Sequence, residues 1–126
     1  MQNPLQITFH NVDRSDAVEQ KIQEKVAQLE HFFDAIVGCH VTVESQHRHH
    51  RKGVIYHIKI HLMLPGSDIV VGREPERNHA HEDIYVAIRD AFDTAKRLLE
   101  AAVRRMRREI KNRKAPERRL LAERGA

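Results

Sequence analysis

Val54 to Leu64 form an unbroken two-residue alternation, with Val54, Tyr56, Ile58, Ile60, Leu62 and Leu64 on one side and Ile55, His57, Lys59, His61 and Met63 on the other. Successive side chains of a strand point to opposite faces, so this segment predicts a long β-strand whose two faces meet different surroundings. Such a strand requires a sheet with one face covered and the other left polar.

Two further segments carry the same period. Leu5, Ile7 and Phe9 alternate with Gln6, Thr8 and His10, predicting a first strand that runs to about Val12. Val37, Cys39, Val41 and Val43 alternate with Gly38, His40, Thr42 and Glu44, predicting a second. Gln46 to Gly53 (QHRHHRKG) has no apolar residue and ends in glycine, which reads as a hairpin connection to the long third strand. Pro65-Gly66-Ser67-Asp68 is a strong turn signal, and Ile69 to Gly72 supply a short fourth strand. Arg73 to Ala80 hold a proline and no apolar period, and are expected to be a loop.

The covering layer must come from two helical stretches. Asp13 and Ser15 offer capping oxygens before Val18, Ile22, Val26, Leu29 and Phe33, whose spacing predicts an amphipathic helix over about Ser15 to Asp34. From His81 the positions Ile84, Ile88, Phe92, Ala95, Leu99, Ala102, Met106 and Ile110 keep a helical period for about 30 residues, a rod of roughly 45 Å that overhangs the sheet. Pro116 is expected to end it and to leave Glu117 to Ala126 as a short, polar, mobile tail. The 126 residues suffice for one core. The expected fold is α+β with the order β-α-β-β-β-α: a four-stranded sheet with two helices packed on one face, forming one domain over 1–114 and a tail over 115–126. The uncovered face would show Gln6, Thr8, His10, His40, Thr42, Glu44, His57, Lys59 and His61.

Charge is placed unevenly. Met1 to Ala80 hold nine Lys/Arg against ten Asp/Glu, whereas His81 to Ala126 hold thirteen against eight. A basic C-terminal third points to a polyanion, because clustered cations release condensed counterions when they neutralise phosphates. Within Lys96 to Lys114 (KRLLEAAVRRMRREIKNRK), at 100° per residue, Arg97, Arg104, Arg107, Arg108 and Lys111 fall on about 100° of arc opposite the apolar stripe, with Glu100 the one acid among them. Cations near a helix C-terminus also complement the macrodipole, but that benefit fades within the last turn while this ridge extends over about four. Arginine suits phosphate because its planar fork donates paired hydrogen bonds. The candidate RNA contacts are therefore Lys96, Arg97, Arg104, Arg105, Arg107, Arg108 and Lys111, with Arg48, Arg51 and Lys52 at the hairpin tip as a second group.

Other chemistries find less support. His47/His49 and His79/His81 offer imidazoles for a metal, but neither stretch matches H-E-x-x-H or a Cys/His finger, and Arg48, Arg51 and Lys52 place repulsive charge beside the first. A histidine-based metal protein is the alternative reading, and a protein-binding module using the polar sheet face is a third. There is no glycine-rich phosphate loop and no G-x-S-x-G elbow, and Asp90, Asp93, Glu82 and Asp83 have Arg89 and Lys96 nearby as partners, so neither an enzyme nor a cofactor is expected. Cys39 is the only cysteine, which excludes an intramolecular disulfide, and its alternation with valines makes it a buried strand residue rather than a nucleophile. No signal-peptide pattern opens the sequence and no apolar run approaches the roughly 20 residues that span a bilayer, so a cytoplasmic protein without a membrane partner is expected.

The element order, together with DIYVAIRDAFDTAKRLL at Asp83 to Leu99 and KVAQLEHFFDAI at Lys25 to Ile36, resembles the bacterial hibernation-promoting factor and ribosome-associated inhibitor family, over roughly Leu5 to Lys114. Asp83, Tyr85, Ala87 and Ile88 look like the family's opening of the second helix. Leu29, Phe32 or Phe33, and Asp34 look like its close of the first. The resemblance implies a double-stranded-RNA-binding-like domain in the decoding channel of the small ribosomal subunit, contacting ribosomal RNA through the second helix and holding ribosomes idle under stress. It further implies a chain monomeric when free, with no small-molecule substrate. Gln28 and Thr94 stand where basic residues are usual in the family, with Lys96 and Arg97 close to the second, and HRHHRKG departs from the family's shorter loop. No linker and ribosome-dimerising module are expected after Pro116.

Overall fold

The computed structural model describes residues 3–47, 54–72 and 80–124. The elements are β1 (Gln6–His10), α1 (Asp16–Phe32), β2 (Gly38–His47), β3 (Val54–Leu64), β4 (Ser67–Val71), β5 (Ala80–His81) and α2 (Ile84–Arg124). The chain divides into two compact units, Met1–Lys96 and Arg97–Ala126, with the division inside α2.

In the first unit the main strands lie in the order β1-β2-β3-β4. β1 pairs parallel to β2, which is possible because α1 forms the crossover between them, and β2-β3 and β3-β4 are antiparallel. The register sets His40 opposite His61, Thr42 opposite Lys59 and Glu44 opposite His57 on one face, and Cys39 opposite Leu62, Val41 opposite Ile60 and Val43 opposite Ile58 on the other. The second set is buried, with Leu64, Ile69 and Val71 from β3 and β4. Both helices supply the remainder of this core: Val18, Ile22, Val26 and Leu29 from α1, and Ala87, Ile88, Ala91, Phe92 and Ala95 from α2. The expected α+β arrangement, with two helices covering one face of a four-stranded sheet, is thus the one observed.

Local chemistry fixes the ends of these elements. Ser15 is the N-cap of α1, its Oγ accepting from the Val18 amide at 3.3 Å. Asp83 does the same for α2, its Oδ1 accepting from the Tyr85 amide at 2.9 Å. The β3-β4 turn places Gly66 at φ +79°, the positive φ that a type II turn requires, after Pro65, which such a turn favours.

Several details differ from the sequence expectations. β2 continues to His47, which pairs with Val54, so the connection begins later than Gln46; polar residues are compatible with a strand whose neighbour supplies the hydrogen bonds. Ala80 and His81, expected in a loop, form β5 against His57 and Tyr56. Two ladder positions are too few to leave a periodic pattern. Phe33, expected in the apolar stripe of α1, is its half-buried C-cap in extended conformation. α2 continues past Pro116 to Arg124. Proline removes a single N–H···O bond, and the arginines, leucines, glutamates and alanines that follow are strong helix formers.

Candidate nucleic-acid interface

Unit two contains the cationic ridge. Leu99, Ala102 and Val103 are buried, Met106 is half-buried, and every residue from Arg107 to Asn112 is exposed. Arg97, Arg104, Arg105, Arg107, Arg108 and Lys111 are all exposed. Among the described residues, no carboxylate lies within ion-pair distance of Arg104, Arg105, Arg107, Arg108 or Lys111. Their charge is therefore held by solvent, the condition under which an incoming phosphate finds them available. Lys96 is likewise exposed, at the end of unit one. Arg48, Arg51, Lys52, His49 and His79 lie outside the described residues.

The polar sheet face is cross-linked rather than bare. The Thr8 hydroxyl and the His40 Nε2 are hydrogen-bonded at 2.8 Å, and His61 Nε2 and Asp68 Oδ2 meet at 2.9 Å. Lys59 Nζ donates to Glu44 Oε1 at 3.2 Å. His57, expected on this open face, is only 1% exposed, with Nδ1 3.6 Å from Glu44 Oε2. The pairing of β5 beside His57, which the sequence pattern did not reveal, changes the surroundings at that position. Partial burial alone would raise the Glu44 pKa, but the hydrogen bond and charge of Lys59, aided by His57, hold the carboxyl below the usual glutamate value.

A cleft of about 430 Å³ opens between α1 and the Phe92 to Lys96 stretch of α2, all within unit one. Leu29 and Phe92, both buried, form its apolar base, while Phe32 on its rim is 45% exposed. Lys25, Gln28 and Lys96 also line it. No sequence pattern marks this site. Lys25, Gln28, Leu29 and Phe32 have the spacing of one helix face, but only the packing of α2 against α1 turns that face into a concavity.

Metal and nucleophile chemistry gain no support among the described residues. No three His, Cys, Asp or Glu side chains converge as a metal site there, and His81 Nδ1 is occupied in accepting from the Asp83 amide at 2.9 Å. Cys39 is buried, and burial, followed by the nearby charge of Glu30, pushes its thiol up to about 12, far from the thiolate a nucleophile needs. Asp90 is paired with Arg89 at 3.2 Å, as the surface-pair reading expected. No helix among the described residues is long and apolar enough to cross a membrane.

Fold and site together define a small α+β domain that carries a cationic helix and a cleft with lysines on its rim. The chain belongs to the family described as sigma 54 modulation protein / S30EA ribosomal protein, whose sequence model matches residues 5–114. A ribosome hibernation promoting factor from Azotobacter vinelandii is 29% identical over 84 residues, 67% of each chain. A ribosomal subunit interface protein from Coxiella burnetii shares the fold at a TM-score of 0.61 and 19% identity, covering 79% of this chain and 97% of its own. The N-terminal domain of Thermus thermophilus Protein Y does so at 0.55 and 21%, covering 78% and 93%. The family is the one that Asp83–Leu99 and Lys25–Ile36 resemble.

Proposed function

We propose that this protein binds the small ribosomal subunit through ribosomal RNA near the decoding channel and keeps the ribosome translationally idle under stress. The observation that carries the reading is the exposed row of Arg104, Arg107, Arg108 and Lys111 on α2, with no carboxylate within reach among the described residues. Family membership supports it, as do the ribosome-hibernation and subunit-interface names of the relatives. The ridge contacts phosphates and so recognises the shape and charge of RNA rather than its sequence. Arg97, Arg105 and Lys96 extend the contact, and the hairpin residues Arg48, Arg51 and Lys52 add a second one. The place of action is the cytoplasm, where the free protein is a monomer that needs neither cofactor nor substrate.

Co-sedimentation with purified small subunits tests the proposal. The chain should travel with the subunits at low salt, and the variant with Arg104, Arg107, Arg108 and Lys111 all replaced by alanine should remain in the supernatant while keeping the circular dichroism of its sheet. Unchanged co-sedimentation of that variant would reject the ridge as the contact.

A further inference from the structure

We infer that the cleft between α1 and α2 receives a single unpaired nucleotide of an RNA strand, its base stacked on Phe32 and its phosphate held by Lys25 and Lys96. The inference rests on the RNA-binding reading above but, Lys96 apart, on different residues. Phe32 leaves nearly half of its surface in water at the rim of a concavity whose base, Leu29 and Phe92, is apolar. An exposed aromatic beside such a base is a stacking surface, and stacking tolerates any base because every base has a π-face. The cleft holds two lysines against one acid, Asp93, and among the described residues none of the three has an ion-pair partner. The net charge of the rim therefore favours an anion.

Position separates the two halves of the ligand. Lys25 precedes Phe32 by seven residues, about 10 Å along the helix, so the phosphate lies away from the carbonyl-rich C-terminal end of α1, which would repel it. Gln28 lies between them on the same helix face, where its amide can donate to and accept from a base edge, and Asp93 accepts from an exocyclic amine. A base paired within a duplex cannot present its face to Phe32. The cleft thus selects unpaired nucleotides, whereas the ridge on unit two takes phosphates of paired or unpaired RNA alike.

The test uses the full chain, labelled with ¹⁵N, titrated with an unstructured RNA hexanucleotide, a blunt RNA duplex of the same length, and a free nucleoside monophosphate. The hexanucleotide should shift the amides around Gln28 to Phe32 and around Phe92 to Lys96, and the duplex should shift only those of the ridge. Replacing Phe32 by alanine should weaken hexanucleotide binding about ten-fold with the salt dependence unchanged, and Phe32→Tyr should restore it. The double variant Lys25→Ala/Lys96→Ala should instead flatten the salt dependence. If the duplex binds and Phe32→Ala leaves hexanucleotide affinity untouched, the inference falls while the ridge stands. If neither RNA binds, both fall. Monophosphate binding as tight as that of the hexanucleotide would overturn the assignment to an RNA strand.

Discussion

The Glu44 carboxylate stands 3.6 Å from the Nδ1 of His57, directly across the β2-β3 ladder, and among the described residues that buried ring nitrogen has no hydrogen-bond partner. Glu44 therefore sets a carboxylate beside an otherwise unsatisfied imidazole, and it is simultaneously tied to Lys59 at 3.2 Å. Because the folded carboxyl is held below its usual pKa, ionised Glu44 stabilises the fold above the unfolded value of about 4.3. That contribution is lost as pH falls through the lower folded value. Glu44→Gln should cost about 1 kcal/mol at pH 7. The difference from the native chain should shrink as urea titrations are repeated at pH values progressively below the unfolded value of about 4.3.

Gly72 follows β4 with φ at +80°, and a methyl group there would run into the carbonyl oxygen of Ile58 on β3. The obstacle is backbone inside a paired sheet, so it cannot swing away. Gly72→Ala should destabilise the fold by about 2 kcal/mol or more, read from a lower urea midpoint. Gly66 has the same sign of φ at +79° but open space around it, so Gly66→Ala should cost about 1 kcal/mol from backbone strain alone.

Leu99 and Ile110 belong to one apolar stripe by spacing but not by burial, at 0% and 56% exposed. Leu99→Ala should therefore cost about 2–5 kcal/mol. Ile110→Ala should stay within about 0.5 kcal/mol. Equal losses in thermal unfolding would mean that the end of the stripe is covered in solution.

Four of the ridge cations should also be countable. Binding of duplex RNA, measured by anisotropy over a salt series, should lose about 0.7–0.9 from its logarithmic slope for each of Arg104, Arg107, Arg108 and Lys111 that contacts a phosphate, when it is replaced by alanine. A slope that does not change marks a residue that faces only water.

Much of this architecture was legible because the sheet has one covered face. Alternation at 37–43 and 54–64 identified every inward residue of β2 and β3, and helical spacing identified Val18, Ile22, Val26 and Leu29. Alternation states which side a residue is on but not what lies over it, which is why His57 read as exposed and is buried. β5 and the helix beyond Pro116 escaped for related reasons: the first is a two-residue pairing chosen by its neighbour β3, and the second depends on the sum of helix propensities around one unfavourable residue. The exposure of the ridge followed from the helical wheel, because a single helix contains all its members. The cleft required two helices at a packing distance that no local pattern encodes.

The spacing that makes the ridge also works against the helix that bears it. Arg104, Arg107, Arg108 and Lys111 form four neighbouring pairs three or four residues apart, each of like sign, and each such pair disfavours the helix by about 0.2–0.5 kcal/mol. The repulsion sums to roughly 1–2 kcal/mol in a stretch where no residue from Arg107 to Asn112 is buried to offset it. In the proposed complex a polyanion lying along the row would cancel that repulsion, and the free energy of binding would then include the relief of strain between these cations. Helix formation and partner binding in this segment would then be one coupled equilibrium, in which a change that lowers the charge of the row tightens the helix as it loosens the grip.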